Sequence, residues 1–524
     1  MNPDDRLIAL VAAHNPVPDP EVLSPNEREA ADELRRRIRS GPPPRRGSAR
    51  RYLLVAAAAV LPVAAVLGLA LGIHSLRHLA PAAAAGPPQT ILVIGSDHRA
   101  GTPFKDVNTD TIMLVRLDPN SKTIKVLSVP RDLKVEIPHG GTTVASKLNA
   151  VYFYGGPSLL TKVLQQQVFP GLKVDHVVDF NFAGFEKIID AIGCVYADID
   201  HRYYNNTAVT NYSSIDIEPG YQKLCGADAL SFVRFRHTDS DIVRDARAQD
   251  FIRWAKGQFS RDRMLSDEGT LLRIFGENAT TDHNLHTTDG VINLFKLVAS
   301  SLGRPVQPIP FPAIELPCGG TTEPCYITAT RTAEDAAYEQ FVTPTTAPDA
   351  AATSTAPASD SAPPTSKGLV ADPADGQSQA AALRGSGLPV YYPRVIRAGS
   401  RYCSSSAGNC PLEVADPHAY PRAYRIDAGG RSYPAYRMTL VTRPSLGDYY
   451  GVQGTTWTNP PILNRPTRTE IVDGKRLLEF FNGGKLSLVA WKTSGAAYWV
   501  SNTLTDSIPA GQLLAIAASL QPAQ

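Results

Sequence analysis

The chain has 524 residues, and its 52 basic and 50 acidic residues leave a formal net charge of only +2. This length predicts two to four domains, and the near-neutral balance argues against a general nucleic-acid binder, for which a strongly basic domain is expected. The chain begins with a polar segment, residues 1–51, rich in Arg and Pro, and we predict that it is a disordered cytoplasmic basic tail.

An uncharged apolar run follows the basic tail at residues 52–73 and is long enough to cross a bilayer as a helix. Because the arginines precede this run, the positive-inside rule places residues 1–51 in the cytoplasm and the rest of the chain outside. The run is too long, and starts too far along the chain, for a cleaved signal peptide. We therefore expect a single-pass protein of the cell membrane, with a tether at 74–89 leading to extracytoplasmic domains.

Between residues 90 and 305 the chain alternates predicted strands and helices. Runs of Ile, Val and Leu predict buried strands at 90–95, 111–117, 123–129, 176–181 and 195–200. Apolar residues at helical spacing predict helices at 158–168, 185–193, 227–237 and 244–259, with a further helix at 290–302. The alternation predicts an α/β fold, an α-β-α sandwich in which helices cover a central mixed sheet.

The last third of the chain changes character. Residues 306–342 form an extension of the α/β domain, and Ala, Pro, Ser and Thr dominate 343–386, which we predict to be a flexible linker. Strand-like segments separated by Gly turns then predict a separate, small β-rich domain at 387–524. Residues 501–520 end this domain with a predicted helix that has Pro509 at its start.

All six cysteines lie beyond the predicted membrane span. Disulfides fit an extracytoplasmic compartment, although sequence alone does not fix their connectivity. Metal ligation is the rival interpretation, and no CxxC or His-rich pattern supports it. Taken in chain order, the disulfide candidates form three local pairs, Cys194 with Cys225, Cys318 with Cys325, and Cys403 with Cys410.

Two aspartates lie at the ends of predicted strands. Asp97 comes just after the first strand, where α/β folds place their sites, and Asp110 comes just before the second. If the two strands are neighbours, both carboxylates come within reach of one divalent ion. Mg²⁺ is typically held by one or two carboxylates together with substrate phosphates. The alternative is that each aspartate caps a turn.

Basic residues supply the other half of a candidate site. Arg131 follows the third strand, and Lys147 precedes an aromatic, Gly-containing turn. An ion pair between Arg131 and Asp132, and a solvated lysine, are the alternatives to a functional role. No P-loop, zinc-protease or hydrolase motif is present. Carboxylates combined with arginines therefore indicate phosphoryl or pyrophosphoryl chemistry.

The stretch RFRHTDSDIVRDARAQ, residues 234–249, concentrates further cations. Guanidinium groups stay charged and bind phosphate oxygens bidentately, so the stretch is suited to a polyanion. A surface network of these arginines with the aspartates between them explains the same residues equally well. The arginines in question are Arg234, Arg236, Arg244 and Arg247.

Seven blocks resemble the LytR–CpsA–Psr family, in order and at family spacing, over residues 90–260. The composition, rich in Ala, Arg and Pro, resembles that of an actinobacterial member. The blocks are ILVIGSDHRAG, NTDTIMLVRLDP, VLSVPRDLKVEIP, KLNAVYFYGGP, VDFNFAGFEKIIDAIGCV, GADALSFVRFRH and DIVRDARAQ.

The resemblance implies that residues 90–305 are the catalytic domain of an extracytoplasmic phosphotransferase, which moves a glycopolymer from a polyprenyl-pyrophosphate carrier to peptidoglycan. It also implies a hydrophobic pocket for the lipid, and Mg²⁺ (or Mn²⁺) held by Asp97 and Asp110. Asp110 would also activate the acceptor hydroxyl. Arginines would bind the pyrophosphate and stabilise the leaving group. The implied catalytic residues are Asp97, Asp110, Arg131, Arg234, Arg236 and Arg244, and the implied substrate-binding residues are Lys147, Arg247 and Gln249.

Two positions depart from the family pattern. Asn108 stands where the family often has Arg, and Ala248 where it commonly has Gln, so each removes a donor from the phosphate site. A non-catalytic lipid- or wall-binding member is therefore an alternative. A simple polyprenyl pyrophosphatase is another, since water could replace the acceptor. A transcriptional regulator is disfavoured, because the cytoplasmic tail is too short for a folded DNA-binding unit. The expected partners are the lipid-linked glycopolymer, peptidoglycan and the membrane, with no nucleic acid.

Overall fold

The computed structural model describes residues 87–97, 109–139, 142–206, 214–235, 240–258, 274, 277–286, 304–316, 325–345, 367–404, 410, 420–472 and 474–523. Within these ranges, no helix is long and apolar enough to cross a membrane. The predicted basic tail, the span at 52–73, the tether up to residue 86 and the helix at 290–302 lie outside the described residues.

The helices and strands are as follows, in chain order. The helices are α1 (Leu148–Val163), α2 (Phe182–Ala191), α3 (Gly226–Arg234), α4 (Asp241–Gln258), α5 (Arg331–Val342), α6 (Pro373–Ala382) and α7 (Ala510–Ala518). The first fourteen strands are β1 (Gln89–Ser96), β2 (Thr109–Leu117), β3 (Ile124–Ser128), β4 (Lys134–His139), β5 (Thr142–Lys147), β6 (His176–Asn181), β7 (Val195–Ile199), β8 (Tyr203–Asn205), β9 (Ile215–Ile217), β10 (Gly220–Leu224), β11 (Ala279–Thr281), β12 (Val306–Ile309), β13 (Ile314–Glu315) and β14 (Ile327–Thr328). The remaining strands are β15 (Leu369–Ala371), β16 (Tyr391–Pro393), β17 (Val395–Arg397), β18 (Arg401–Tyr402), β19 (Arg422–Ala428), β20 (Arg431–Arg443), β21 (Asp448–Thr455), β22 (Arg468–Val472), β23 (Lys475–Asn482), β24 (Lys485–Lys492), β25 (Ala497–Ser501) and β26 (Leu520–Pro522).

The chain divides into two compact units. The first unit comprises residues 1–192, 259–305 and 309–344, and the second comprises residues 193–258, 306–308 and 345–524. This division differs from the predicted domain boundaries, because residues 193–258 belong with the C-terminal β-rich region.

The first unit is built on a mixed sheet whose strands lie in the order β11-β6-β1-β2-β3. β1 pairs with β2 antiparallel and with β6 parallel. Both faces of β1 are covered, because consecutive residues such as Leu92 and Val93, which point to opposite faces of the sheet, are both fully buried. Strands that are covered on both faces have continuous apolar sequences, which is why they were recognisable. The sheet confirms the predicted α/β class with a central mixed sheet.

Helix α1 packs on one face of this sheet, and its buried residues join the core cluster that contains Leu92 and Leu114. The helix begins at Leu148, whereas the sequence predicts its start at residue 158. The reason is a kink inside it, where Gly156 has φ +57°, a conformation that favours glycine, directly before Pro157. The Gly-Gly-Pro sequence resembles a turn, but here it lies between two helical segments.

The second unit centres on an antiparallel sheet in the order β18-β20-β21-β25-β24-β23-β22, with β19 also paired to β20. Its core includes Met438, Tyr450 and Ile516, the last of these from α7. The β-rich character predicted for the C-terminal region is therefore confirmed. The terminal helix begins at Ala510, directly after Pro509, as predicted, and it ends at Ala518.

The β-rich region begins before the predicted boundary at residue 387. β15 pairs with β17, and α6 buries Ala380 in the same core. The Ala-rich segment 369–386 therefore is not linker as the sequence predicts. Alanine is the strongest helix former, and Pro373 starts the helix at a position where no backbone donor is needed. A segment of low-complexity composition can therefore form a helix.

Residues 193–258 join the β-rich region through hydrogen bonds as well as packing. Tyr420 Oη accepts from the backbone N–H of Arg202 at 2.7 Å, and Tyr424 Oη accepts from that of Tyr221 at 2.6 Å. These contacts link positions about 200 residues apart, so no local pattern reveals them. They explain why the unit boundary falls at residue 193.

The disulfides described in the second unit join the cysteine pairs that were predicted from their order along the chain. Cys194 bonds to Cys225 with a Cα–Cα distance of 4.5 Å, and Cys403 bonds to Cys410 with 5.5 Å. Cys325 is also disulfide-bonded, while its predicted partner Cys318 lies outside the described residues. The sulfurs of these bonded pairs are not free to serve as thiolate metal ligands.

Candidate functional site

Asp110 lies on a β-bulge between β1 and β2. Gly95 pairs with Thr111 and Ser96 pairs with Thr109, so Asp110 is the extra residue on its strand. The hydroxyl of Thr109 closes the bulge by donating to the carbonyl of Gly95 at 3.0 Å and to that of Thr111 at 2.9 Å. A bulge redirects the side chain of the extra residue and is common beside active sites. The irregularity therefore presents a carboxylate near the end of β1.

A chain of alternating charges extends from Asp110. Its carboxylate forms a hydrogen-bonded ion pair with the guanidinium of Arg131. Arg131 Nε lies 3.6 Å from Asp132, and the other oxygen of Asp132 accepts from Lys147 Nζ at 2.8 Å. The structure thus brings together three of the predicted site residues, Asp110, Arg131 and Lys147. Asp132, which the sequence suggested only as a structural partner, joins the two cations.

Asp179 is a buried acid beside this region that the sequence analysis overlooked. It lies on β6, which pairs with β1, and its carboxylate accepts from Ser96 Oγ at 2.8 Å and from the hydroxyl of Tyr152. Burial, reinforced by Asp179 and to a smaller extent by Asp97, raises the pKa of Tyr152 well above its usual range. Tyr152 therefore stays protonated. An acid inside the apolar run HVVDFN was the available signal.

The two carboxylates expected to hold a metal ion are hard oxygen donors. Asp97 directly follows β1 and is exposed, and Asp110 is partly buried on the bulge. Oxygen ligands of this kind suit Mg²⁺, which commonly takes one or two carboxylates and completes its shell with phosphate oxygens and water. The two carboxylates therefore fit Mg²⁺. The carboxylate of Asp110 would then contact both the metal ion and Arg131.

The second unit carries the remaining predicted residues. Arg234 is the last residue of α3, and Arg244 lies in the first turn of α4, buried, with Nη2 2.9 Å from Asp245. Gln249 is partly exposed, and Ala248 beside it is buried. Arg236 and Asn108 lie outside the described residues.

Arg247 does not lie on the surface. Its side chain is fully buried, and its guanidinium donates to the carbonyls of Phe235 at 2.8 Å and Phe232 at 3.3 Å. A phosphate group would have to displace these contacts to reach it. The predicted direct contact of Arg247 with a substrate is therefore at odds with its burial, which comes from packing that the helical spacing of Arg244 and Arg247 did not reveal.

We expect the stability of the second unit to depend on pH because of two buried acids. Burial raises the pKa of Asp250 to about 7 and that of Asp506 to about 6, although Arg253 opposes both shifts and lies 2.9 Å from Asp250. Both values lie above the unfolded pKa of about 3.9. The stabilisation is thus fully present below about pH 4 and is lost as the pH rises through about 7.

Asp250→Asn is expected to remove most of this pH dependence, because the amide resembles the protonated acid. Between about pH 4 and pH 8, the wild type should lose on the order of 3 kcal/mol of stability relative to the variant. Urea unfolding at each pH, followed by tryptophan fluorescence, measures this because all four tryptophans lie in the second unit. Parallel stability curves would contradict the prediction.

The part of the chain that contains these residues is similar to a known protein family. Residues 75–326 match the LytR_cpsA_psr family. The polyisoprenyl-teichoic acid–peptidoglycan teichoic acid transferase TagU of Halalkalibacterium halodurans is 29% identical over 200 residues, which are 38% of this chain and 62% of that protein. The probable cell wall biosynthesis protein LcpB of Corynebacterium glutamicum is 33% identical over 173 residues, which are 30% of this chain and 39% of that protein.

A solved structure is similar to about half of the chain. The crystal structure of TagV from Bacillus subtilis is 22% identical, covers 49% of this chain and 96% of its own, and has a TM-score of 0.39. The chain thus spans less than two thirds of the length of the two relatives above. The family match contains the bulge aspartate, the cation chain and both arginine-bearing helices. Over residues 75–326, just under half of its length, the chain is similar to the LytR–CpsA–Psr family.

Proposed function

We propose that this protein is an extracytoplasmic phosphotransferase that moves a glycopolymer from a polyprenyl-pyrophosphate carrier to peptidoglycan. Residues 52–73 would anchor it in the cell membrane with the N-terminus in the cytoplasm. The printed name of TagU describes a transfer of this kind, and that of LcpB describes a role in cell wall biosynthesis. Outside the cell there is no ATP, so the donor must carry its own activation, and a lipid pyrophosphate does.

The observation that carries the proposal is the cluster of Asp110, Arg131, Asp132 and Lys147. It places a carboxylate on a bulge, next to a guanidinium and an ammonium group that are held by a second carboxylate. Cations fixed in this way can bind phosphate oxygens without reorganising during the reaction. The carboxylate can accept a proton from a hydroxyl group positioned nearby. A transferase needs both functions at one place.

The reaction proceeds by attack of an acceptor hydroxyl oxygen on the phosphorus that bears the glycopolymer. The bond from that phosphorus to the bridging oxygen breaks, and polyprenyl phosphate leaves with the electron pair. The proton of the hydroxyl passes to the carboxylate of Asp110. Arg131 and Lys147 stabilise the charge on the phosphate oxygens. Mg²⁺, held by Asp97 and Asp110, would supply further neutralisation of these oxygens when bound.

The lipid would bind to the apolar core cluster of the first unit. Partly buried apolar side chains lie at the margin of this cluster, where α1 packs on the sheet. Aromatic contacts continue it, since the rings of Phe169 and Tyr338 stack at 5.7 Å and that of Phe311 lies 6.1 Å from Phe169. An isoprenoid chain would lie against these side chains or displace them.

The test is a transfer assay on the full-length protein in phospholipid vesicles. The donor is a short glycan linked to a polyprenyl pyrophosphate, and the acceptor is purified peptidoglycan, with and without Mg²⁺. The proposal expects one glycan phosphate bound to the wall for each polyprenyl phosphate released. Release into water of the glycan phosphate alone would indicate a pyrophosphatase, and donor binding without any product would indicate a non-catalytic member.

A further inference from the structure

The carboxylate of Asp179 binds two hydroxyl groups that belong to different elements of the first unit. Its Oδ1 accepts from Ser96 Oγ of β1 at 2.8 Å, and its Oδ2 accepts from the hydroxyl of Tyr152 of α1. All three side chains are buried, with exposed fractions of 3% or less. A buried carboxylate is costly, so the hydrogen bonds that it accepts strongly favour one arrangement of their donors. Asp179 therefore ties both β1 and α1 to β6.

The first of these hydroxyl groups lies beside the bulge that presents Asp110. Ser96 pairs with Thr109 of β2, the residue directly before Asp110, and the pairing register shifts between Gly95 and Ser96. The backbone of β1 at Ser96 thus determines where the extra residue of β2 lies. Because the side chain of Ser96 is bonded to β6, this end of β1 is held from both sides. Asp179 therefore limits the movement of the bulge.

The second hydroxyl group belongs to the part of α1 that follows Lys147. Lys147 is the N-cap of α1, and Tyr152 lies about 7.5 Å further along the helix axis, before the non-helical glycine pair. The glycine pair lets the two segments of α1 take different orientations. Backbone hydrogen bonds hold the start of the first segment to Arg131 and Leu133. The bond from Tyr152 to Asp179 holds the other end of this segment to the sheet.

We propose that Asp179 is a positioning residue, which fixes the carboxylate of Asp110 relative to the ammonium group of Lys147. Transfer needs these two groups at a fixed separation, because the base must reach the acceptor hydroxyl while the cation binds the phosphate that the hydroxyl attacks. Asp179 itself takes no part in the bond changes. The inference rests on the proposed function, in which Asp110 accepts the proton and Lys147 stabilises the phosphate oxygens.

The test is the same transfer assay on the full-length protein in vesicles, with kcat expressed per folded molecule. Asp179→Asn keeps the shape of the side chain but leaves one acceptor oxygen for two hydroxyl donors. Misplacement of the reacting groups should lower kcat about tenfold. The matched control is Thr161→Val, which removes a hydroxyl from α1 beyond the kink, where Thr161 Oγ1 donates to the carbonyl of Pro157 at 2.8 Å. It should retain kcat within about twofold.

Double variants separate positioning from a general loss of structure. Ser96→Ala should lower kcat about fivefold in the wild-type background, but less than about 1.5-fold in the Asp110→Asn background, where the group that Ser96 positions is absent. Tyr152→Phe should show the same dependence on Lys147→Met. Equal factors in both backgrounds would mean that the two hydroxyls support the fold and not the geometry of the site, and would overturn the inference.

The outcomes distinguish this inference from the proposed function. A wild-type kcat in Asp179→Asn, with transfer lost in Asp110→Asn, overturns the inference and leaves the proposed function intact. Absence of transfer by the wild-type protein overturns both. If Asp179→Asn does not fold, Ser96→Ala and Tyr152→Phe decide the inference, because each removes one hydroxyl and leaves the carboxylate in place. A wild-type kcat in both of these variants overturns it.

Discussion

Replacing Asp110 with asparagine is expected to lower glycopolymer transfer about 10²- to 10⁴-fold, the usual contribution of a general base. The amide cannot accept the proton of the acceptor hydroxyl at neutral pH, and it is a poor ligand for Mg²⁺. It also lacks the charge that pairs with Arg131, so this phosphate-binding cation loses one of its two carboxylate neighbours. Transfer to peptidoglycan from the lipid-linked donor, measured at saturating Mg²⁺, is the readout.

A matched control distinguishes this loss from a general effect of removing an acid. Asp335 is an exposed carboxylate of α5 in the same unit, 61% exposed and 3.9 Å from Arg331. Asp335→Ala should retain transfer within about twofold, since surface substitutions of this kind change stability little. Circular dichroism melting should show that both variants fold. Wild-type transfer by Asp110→Asn would show that the bulge carboxylate takes no part in the chemistry.

Removing Arg437 is expected to destabilise the second unit by about 3–5 kcal/mol, because it strands a buried charge. Arg437 Nη1 donates to Asp198 at 2.9 Å, and the two side chains are 0% and 3% exposed. The second oxygen of Asp198 accepts from Trp499 Nε1 at 3.3 Å. Arg437→Met would leave Asp198 without its counter-charge in this environment, and Asp198→Asn would strand Arg437 in the same way.

The double variant, Asp198→Asn with Arg437→Met, should recover much of the loss, because replacing both members of a buried pair is far less costly than removing one. Urea unfolding measured by tryptophan fluorescence reports on this unit alone. Arg425→Met is the control, since Arg425 is an exposed residue of β19 in the same sheet, and it should change stability by less than about 0.5 kcal/mol. Additive single losses, with no coupling in the double variant, would contradict the prediction.

The fold of the first unit was largely accessible from sequence. Strands covered on both faces are continuous apolar runs, and β1, β2, β3 and β6 have that composition. The start of α1 was not accessible, because Gly-Gly-Pro is typical of a turn and only the packing of Leu148 and Val151 against the sheet shows that the helix begins before it. Composition likewise concealed α6 inside an Ala- and Pro-rich segment.

The candidate site was accessible in part. The positions of Asp97 and Asp110 at strand ends follow from where apolar runs stop, and so does the nearness of Arg131 to a strand end. The bulge that presents Asp110 depends on the register of two paired strands, which no single strand encodes. The buried Asp179 acquires its role from Ser96 and Tyr152, which lie 83 and 27 residues away.

The sequence by itself determined the local and periodic features of this protein. These are the runs that form the central sheet, the helical spacing of α2 to α4, the cysteine order and the ordered blocks of the family. Only the tertiary structure decided which charged residues are buried and with what partners. It joined Asp198 to Arg437 across 239 positions and enclosed Arg247 within the second unit. The physical reason is that burial and pairing depend on which distant segments pack together, whereas secondary structure reflects neighbours along the chain.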